Sequence, residues 1–373
     1  MLLRKEANTR FAVIGNDCYD ALVPQMCIMC SKFTPRACTA IFVFSLLLPN
    51  ITAAAKTKGF SDVASGTPVA EAAEYLRSVG ILSGYEDGTF RPSQNVNRAE
   101  AIKIIIAPLL KKEALDQLTQ TPFSDIQAGE WYLPYVEAAR QNSIVDGPPA
   151  KPAFNGTQPV TKMEFIKMVL LAYRIDPSSY SEIRLPLSSD VTDPAAWYYP
   201  YLRYAITASM TMVTGEGTFD PGRSLTRGDT ALILYRFLMY RNGKRTQALL
   251  SEAENEILVV LGSIKENNLE QAEYASGRAL LAARGANAGS PNQPIVQGAL
   301  KITEAFRAIV RAYRAGVNQQ FDETIRLCGD AWNLATRGKE LSSELASLSD
   351  QVQTLAKNLA DTARAAKAGP VTP

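Results

Sequence analysis

Apolar residues along this chain recur at helical spacing, in two different arrangements. Between residues 60 and 240 they come in short bursts bounded by polar loops rich in glycine and proline. The bursts are Val69, Ala72, Ala73, Leu76 and Val79; Ala99, Ile102, Ile105 and Ile106; Trp131, Leu133, Tyr135, Val136 and Ala139; Phe165, Ile166, Val169 and Leu170; Trp197, Tyr198, Tyr201, Leu202 and Ala205; and Ala231, Leu232, Leu234, Tyr235 and Leu238. Spacings of three and four put each set on one face of a helix, so six short helices are predicted. Pro68 opens the first, Pro108 disturbs the second, and Asp193-Pro194 reads as cap and first position of the fifth.

After Gly243 the same period runs much longer, over Leu249 to Ile264, Leu269 to Gly285, Ile295 to Tyr313, Phe321 to Ala335 and Leu341 to Ala365. Gly289-Ser290-Pro291 breaks it once. Leu341, Leu345, Leu348, Val352, Leu355 and Leu359 approximate a heptad seam, Gln351 aside. An antiparallel bundle of four or five helices, or a partly extended coiled coil, is expected here. Its alanine content and its seam suit packing against a partner chain, so self-association through these helices is one expectation.

The short bursts belong to an internal repeat. Residues 84–98, GYEDGTFRPSQNVNR, share a plan with the stretch from Gly147 to Lys162 and with the stretch from Gly215 to Arg227. Each begins at a glycine, passes an aromatic (Phe90, Phe154, Phe219) that anchors the loop, and ends in a polar residue (Asn97, Thr161, Thr226) followed by a basic one (Arg98, Lys162, Arg227). An acid follows two residues later, at Glu100, Glu164 and Asp229, which makes each a side-chain-capped helix start. A cation at the first helical position is poorly placed for the helix field, but well placed if it and the backbone N–H groups face a bound anion. Upstream, Phe60-Ser61-Asp62-Val63 recurs as Phe123-Ser124-Asp125-Ile126 and as Ser188-Ser189-Asp190-Val191, spaced 63 and then 65 residues apart. Matched landmarks at near-constant spacing mark three copies of one supersecondary unit. Neither helix pair buries its apolar face well alone, so the copies should pack together. The tract from Asp176 to Pro186, with two prolines and three serines, reads as a linker.

Composition then removes whole classes of function. The 373 residues contain no histidine, which excludes His-based catalytic triads and His-containing zinc sites. The net charge of +2 comes from the first 55 residues, with five basic and three acidic side chains; 34 of each sign follow. Nothing there supplies the basic field that nucleic-acid binding needs. Four of five cysteines, Cys18, Cys27, Cys30 and Cys38, precede residue 55, and Cys328 reads as an inert buried thiol. Residues 29–55 carry Lys32 and Arg36, then an apolar run from Ala37 to Leu48, then small residues at Thr52 to Ala55. This is the layout of a secretory signal peptide, shorter than a spanning helix, with Met26 or Met29 as the start of translation. No membrane-spanning domain is expected beyond it.

The motifs FSDV, GYEDGTFRP and NRAE, with FSDI, TKMEF, GEGTFDP and LTRGD, resemble the surface-layer homology (SLH) domain family over about residues 60–240. The resemblance implies a mainly all-α fold, with three helix-loop-helix repeats in a pseudo-threefold prism around a central three-helix bundle. It implies a module that holds an exported protein at the cell envelope or cell surface; residues 246–373 show no chemical constellation, so the chain reads as non-enzymatic, with no cofactor. Grooves between the lobes would bind an anionic secondary cell-wall polysaccharide, often one bearing pyruvate ketals. By the same resemblance Arg98, Lys162 and Arg227 fall at the binding cation, Gly84, Gly147 and Gly215 at the groove glycine, Asp62, Asp125 and Asp190 at the early aspartate, and Trp131 and Trp197 at the helix-one aromatic. The chemistry of the residues agrees. Arginine can clamp a carboxylate through two parallel hydrogen bonds, whereas lysine offers a point charge. Trp131 and Trp197 read first as core residues, a role compatible with a sugar platform. Asp62 and its counterparts read as helix caps or loop hydrogen-bond acceptors, and the acids near Asp87 fall short of a calcium loop.

The expected segments are residues 1–55 as an over-extended start plus signal peptide, repeats over 56–118, 119–182 and 183–243, and a helical bundle over 246–369. A lattice-forming structural subunit and an enzyme tethered by the repeats stand as alternatives. A porin would need many alternating strands that the last third lacks.

Overall fold

The structure, a computed structural model, describes residues 59–368. The expected signal peptide and the four early cysteines lie outside the described residues. Helices α1 (Pro68–Ser78) and α2 (Arg98–Ile106) form the first repeat, followed by a short α3 (Lys112–Asp116) that the apolar pattern does not announce. Helices α4 (Leu133–Gln141) and α5 (Lys162–Ala172) form the second, and α6 (Tyr199–Thr207) and α7 (Arg227–Arg241) the third. Then come α8 (Thr246–Lys265), α9 (Leu269–Gly289), α10 (Pro294–Val317), α11 (Phe321–Leu341) and α12 (Ala346–Ala368). Among the described residues, pairing of the β type is confined to isolated bridges, and no helix is long and apolar enough to cross a membrane.

The second helix of every repeat starts at the predicted basic residue, and all three starts are complete capping boxes. In each, the Asn97, Thr161 or Thr226 side chain accepts from the N–H of the acid three residues on, and that acid accepts from the cap's own N–H. Of these helices, α2 and α5 are apolar nearly all round, with Ile102, Ile104, Ile105 and Ile106 buried on α2 and Phe165, Ile166, Met168, Val169 and Leu170 on α5. That pattern belongs to helices enclosed on every side. Each is flanked by the first helix of the next repeat: α2 packs on α4, α5 on α6, and α7 returns to α1. The ring is closed.

Three backbone hydrogen bonds seal the ring at its centre. Val96 N–H donates to Leu225, Leu225 N–H to Val160, and Val160 N–H to Val96. Asn95 pairs with Thr226, Asn97 with Pro159 and Thr161 with Ser224 as bridges around that triangle. Val96, Val160 and Leu225 are fully buried there, as are the loop anchors Phe90 and Phe219, with Phe154 nearly so.

Several expectations need correction. The first helices of repeats two and three begin at Leu133 and Tyr199, after their tryptophans. Asp193 does not cap α6; it stands five residues ahead of the helix's own cap, and its side chain accepts from Ala195 N–H in a turn. Val79 lies just past the end of α1 and is exposed. The Asp176–Pro186 tract is no free linker. Ile183 is fully buried, Arg203 donates to the carbonyls of Pro177 and Ile183, and Tyr199 Oη donates to that of Leu185. The seam drawn from Leu341 is broken, because Leu341 closes α11 and a short 3-10 turn (Ser343–Leu345) precedes α12.

Helices α8 to α12 pack in chain order as a bundle, and the bundle docks on repeat three. Gly285 on α9 lies so close to the Thr207 carbonyl that a Cβ would sit 1.8 Å from its oxygen. Leu280 and Leu281 of α9 join the core of the repeats. Arg278, 3% exposed, donates two bonds to Glu256 and one to the Leu187 carbonyl.

Candidate functional site

Each repeat presents one loop whose aromatic peptide is held from both sides. Asp62 accepts from the N–H groups of Phe90 and Arg91, Asp125 from those of Phe154 and Asn155, and Asp190 from those of Phe219 and Asp220. The residue after each phenylalanine is left-handed, with φ of 57° at Arg91, 59° at Asn155 and 49° at Asp220. This turns two successive N–H groups toward one carboxylate, a small anion nest filled by the protein's own aspartate. Burial alone would raise the Asp62 and Asp190 carboxyls; the donors on them hold both below the usual carboxylate range. The aspartates are loop locks.

The opposite face of that peptide is held by the preceding repeat in the cycle. Arg98 Nε donates to Phe154 O at 3.1 Å, Lys162 Nζ to Phe219 O at 2.7 Å, and Arg227 Nε to Phe90 O at 2.9 Å. Each cation also lies over the ring of the same phenylalanine, at 5.1, 5.7 and 4.9 Å from its centroid. The three basic residues are therefore equivalent by structure as well as by sequence, and each joins two repeats.

The helix starts are not open anion sites, contrary to expectation. Arg98, Lys162 and Arg227 N–H groups donate to Gln158, Arg223 and Gln94 carbonyls, and the next N–H groups to Gly156, Pro221 and Pro92. The neighbouring loop occupies the donors that a ligand would need. Of each arginine, only the guanidinium beyond Nε lies outside the bond to the phenylalanine carbonyl. Arg98 keeps 21% of its side chain exposed and pairs with Glu164 at 3.2 Å, while Arg227 Nη2 donates to Ser83 O.

Lys162 differs. It is 5% exposed, and burial, with the Arg223 charge nearby, pushes its ammonium down to about 8. A lysine shut in this way is a structural clamp, and the middle groove offers no open cation at that place.

A cavity of about 510 Å³ lies at Arg98, lined by the repeat-two loop at Asp146, Lys151 and Phe154, by Glu164 and Lys167, and by Trp197 of repeat three. Trp197 is 54% exposed and Trp131 52%, so neither is a core residue. Each stands just ahead of its helix with a lysine over its ring, Lys167 at 5.8 Å from Trp197 and Lys103 at 5.3 Å from Trp131. An indole face edged by an ammonium suits the apolar side of a sugar that carries an acid. Lys103 and Lys167 were missed in the sequence, although both lie five residues after the repeat's basic position; the third copy has Leu232 there.

The three glycines do unlike things. A Cβ on Gly84 would stand 2.4 Å from the Phe60 ring and 2.9 Å from Thr89 O, and one on Gly147 would meet Arg140 at 3.0 Å. At Gly215 a Cβ would meet open space. The left-handed glycines of these loops are Gly88 and Gly217, each closing a turn onto Tyr85 or Thr214. The loop of repeat two is built otherwise, around a cis Pro148–Pro149 peptide. Asp87 is taken by Thr89 and Arg91.

The S-layer homology domain family matches this chain at residues 59–102, 122–166 and 189–231. Among curated proteins, the surface-layer 125 kDa protein of Lysinibacillus sphaericus is 26% identical over 208 residues, 55% of this chain and 17% of that protein. The exoglucanase XynX of Acetivibrio thermocellus is 30% identical over 172 residues, covering 45% of this chain and 15% of its own. S-layer protein EA1 of Bacillus anthracis is 26% identical over 193 residues, or 52% and 21%. The chain thus spans about a fifth or less of the length of these relatives.

Proposed function

We propose that this chain, which carries three tandem S-layer homology domains over residues 59–231, is an exported, non-catalytic protein that the ring of repeats anchors to the cell envelope. The ligand read by the grooves is an anionic envelope glycan, with a pyruvate-ketal-bearing secondary cell-wall polysaccharide as the favoured chemistry. The observation that carries this reading is the pairing, in one cavity, of Arg98 and Lys167 with the exposed Trp197 face. The corresponding set in repeats three, one and two is Arg227, Lys103 and Trp131. The middle position, with Lys162 buried and Leu232 in place of a lysine, supports two working grooves out of three.

In such a groove the tryptophan covers the apolar face of a sugar ring. The lysine, and the outer edge of the arginine guanidinium, meet its carboxylate. Glu164 holds Arg98 until the ligand arrives, so the glycan must compete with that carboxylate.

The test is co-sedimentation of the protein with envelope material from its own host, before and after mild acid removes pyruvate ketals. Loss of binding after acid, and weaker binding in Trp197→Ala and Lys167→Ala proteins that still fold, supports the reading. Binding that survives acid changes the ligand, and absence of binding in both states removes the anchor. A second reading, lattice formation through the bundle, is favoured by adjacent exposed Leu258 and Val259 on α8 and by Trp332 on α11. Sedimentation velocity showing a monomer at high concentration would end it.

A further inference from the structure

The bundle carries a cationic trough of its own. Two adjoining cavities, of about 370 and 520 Å³, follow the seam between α9, α10 and α11, and both are lined by Arg307, Arg311 and Leu327. Arg307 and Arg311 are one turn apart on α10 and so face the same way. The acids on the trough walls are already engaged: Glu273 with Arg314, Glu304 with Lys301, and Glu323 and Asp330 with Arg326. Arg284 is paired with Glu182. Arg307 and Arg311 make no hydrogen bond or ion pair among the described residues. Arg307 is half-buried, and burial together with the charges of Arg311 and Arg284 disfavours its guanidinium. Two like charges, one of them partly desolvated, are thus held one turn apart, and the nearby Glu304 and Glu323 are ion-paired to Lys301 and Arg326 instead.

The trough is long for a single ion. On α10 its walls run from Glu304 to Asn318, roughly 20 Å of helix. Beside the arginines stand the amides of Asn318, Gln320 and Asn333, which suit hydroxyl groups. No aromatic ring lines it, so nucleobases have nothing on which to stack.

We propose that this trough binds one extended strand of an acidic polysaccharide, gripped through its acid groups by Arg307 and Arg311. The proposal stands apart from the grooves between the repeats. It gives the bundle a ligand role of its own, at a second point on the molecule.

The probe is a fluorescent oligogalacturonate of about ten sugars, titrated into the whole chain at low salt and followed by anisotropy. The Arg307→Gln/Arg311→Gln protein is expected to bind roughly tenfold or more weakly, whereas a Lys357→Gln/Arg364→Gln protein, which loses the same charge from exposed positions outside the trough, binds as the parent does. Because the double glutamine variant removes two cations that make no hydrogen bond or ion pair among the described residues, its unliganded melting temperature should stay close to that of the parent. The oligogalacturonate should then raise the melting temperature of the parent by more than that of the glutamine variant. Unchanged affinity in the glutamine variant overturns the proposal. So does full competition by millimolar inorganic phosphate, which would mean a single-ion site, and so does tighter binding of an oligoglutamate or a single-stranded DNA of equal charge.

Discussion

At the scale of single residues, Lys162 is where chemistry and packing conflict. Its ammonium is held near 8 against 10.5 in an ordinary setting. Between those values the unfolded chain binds a proton that the folded chain does not, so the stability contributed at this position rises with pH from about 8 to 10.5. The free energy of unfolding of the parent, less that of a Lys162→Met variant, is expected to climb across this window, at no more than about 1.4 kcal/mol per pH unit. A flat difference would show that the lysine is not desolvated. Glycines give a second contrast at this scale. Gly84→Ala drives a methyl into the Phe60 ring and the Thr89 carbonyl and should cost about 1–3 kcal/mol. Gly215→Ala, with open space around it, should stay within about 0.5 kcal/mol. Urea unfolding of the two variants side by side measures the difference. The two positions look equivalent in the sequence, because a repeat pattern records which residue recurs and not what surrounds it.

At the scale of elements, the loop lock is the unit that makes the groove. Asp190 accepts from Phe219 and Asp220 N–H and from the Ser188 hydroxyl, and its carboxyl lies below its usual range. Its contribution is present above the ordinary carboxylate range and is lost as pH falls through the lowered value. Asp190→Ala is expected to cost about 2–3 kcal/mol at neutral pH and to flatten the acid limb of the stability profile. Equal acid sensitivity in parent and variant would count against the lock. Much of this was legible beforehand. Capping boxes are local, so Asn97-Arg98-Ala99-Glu100 and its copies located three helix starts to the residue. The aspartates were read correctly as acceptors. The tryptophans were not, because a helical period extends past a helix's end, and Trp131 and Trp197 keep the phase while standing two residues before α4 and α6. The occupied N–H groups of α2, α5 and α7 were invisible for another reason. Their partners, such as Gly156 for Ala99 and Pro92 for Gly228, come from another repeat, and no pattern within a repeat announces them.

At the scale of the whole molecule, the bundle is joined to repeat three through a contact with no room to spare. Gly285→Val would place branched atoms where the Thr207 carbonyl now lies, so α9 must move away from α6. Repeats and bundle are then expected to melt separately, visible by calorimetry as two transitions where the parent shows one. A single transition in the variant would show that the docking is held by other contacts, Arg278 with Leu187 foremost.

The closed triangle of Val96, Val160 and Leu225 has a consequence in time. A linear stack of repeats can settle one unit after another as the chain is made. Here the carbonyl that receives Val96 N–H belongs to a residue made about 130 positions later. At ordinary rates of synthesis Val96, and α1 with its place against α7, wait on the order of ten seconds for their last neighbour. In a chain of this design the first repeat therefore stays open on that side until the third has been made.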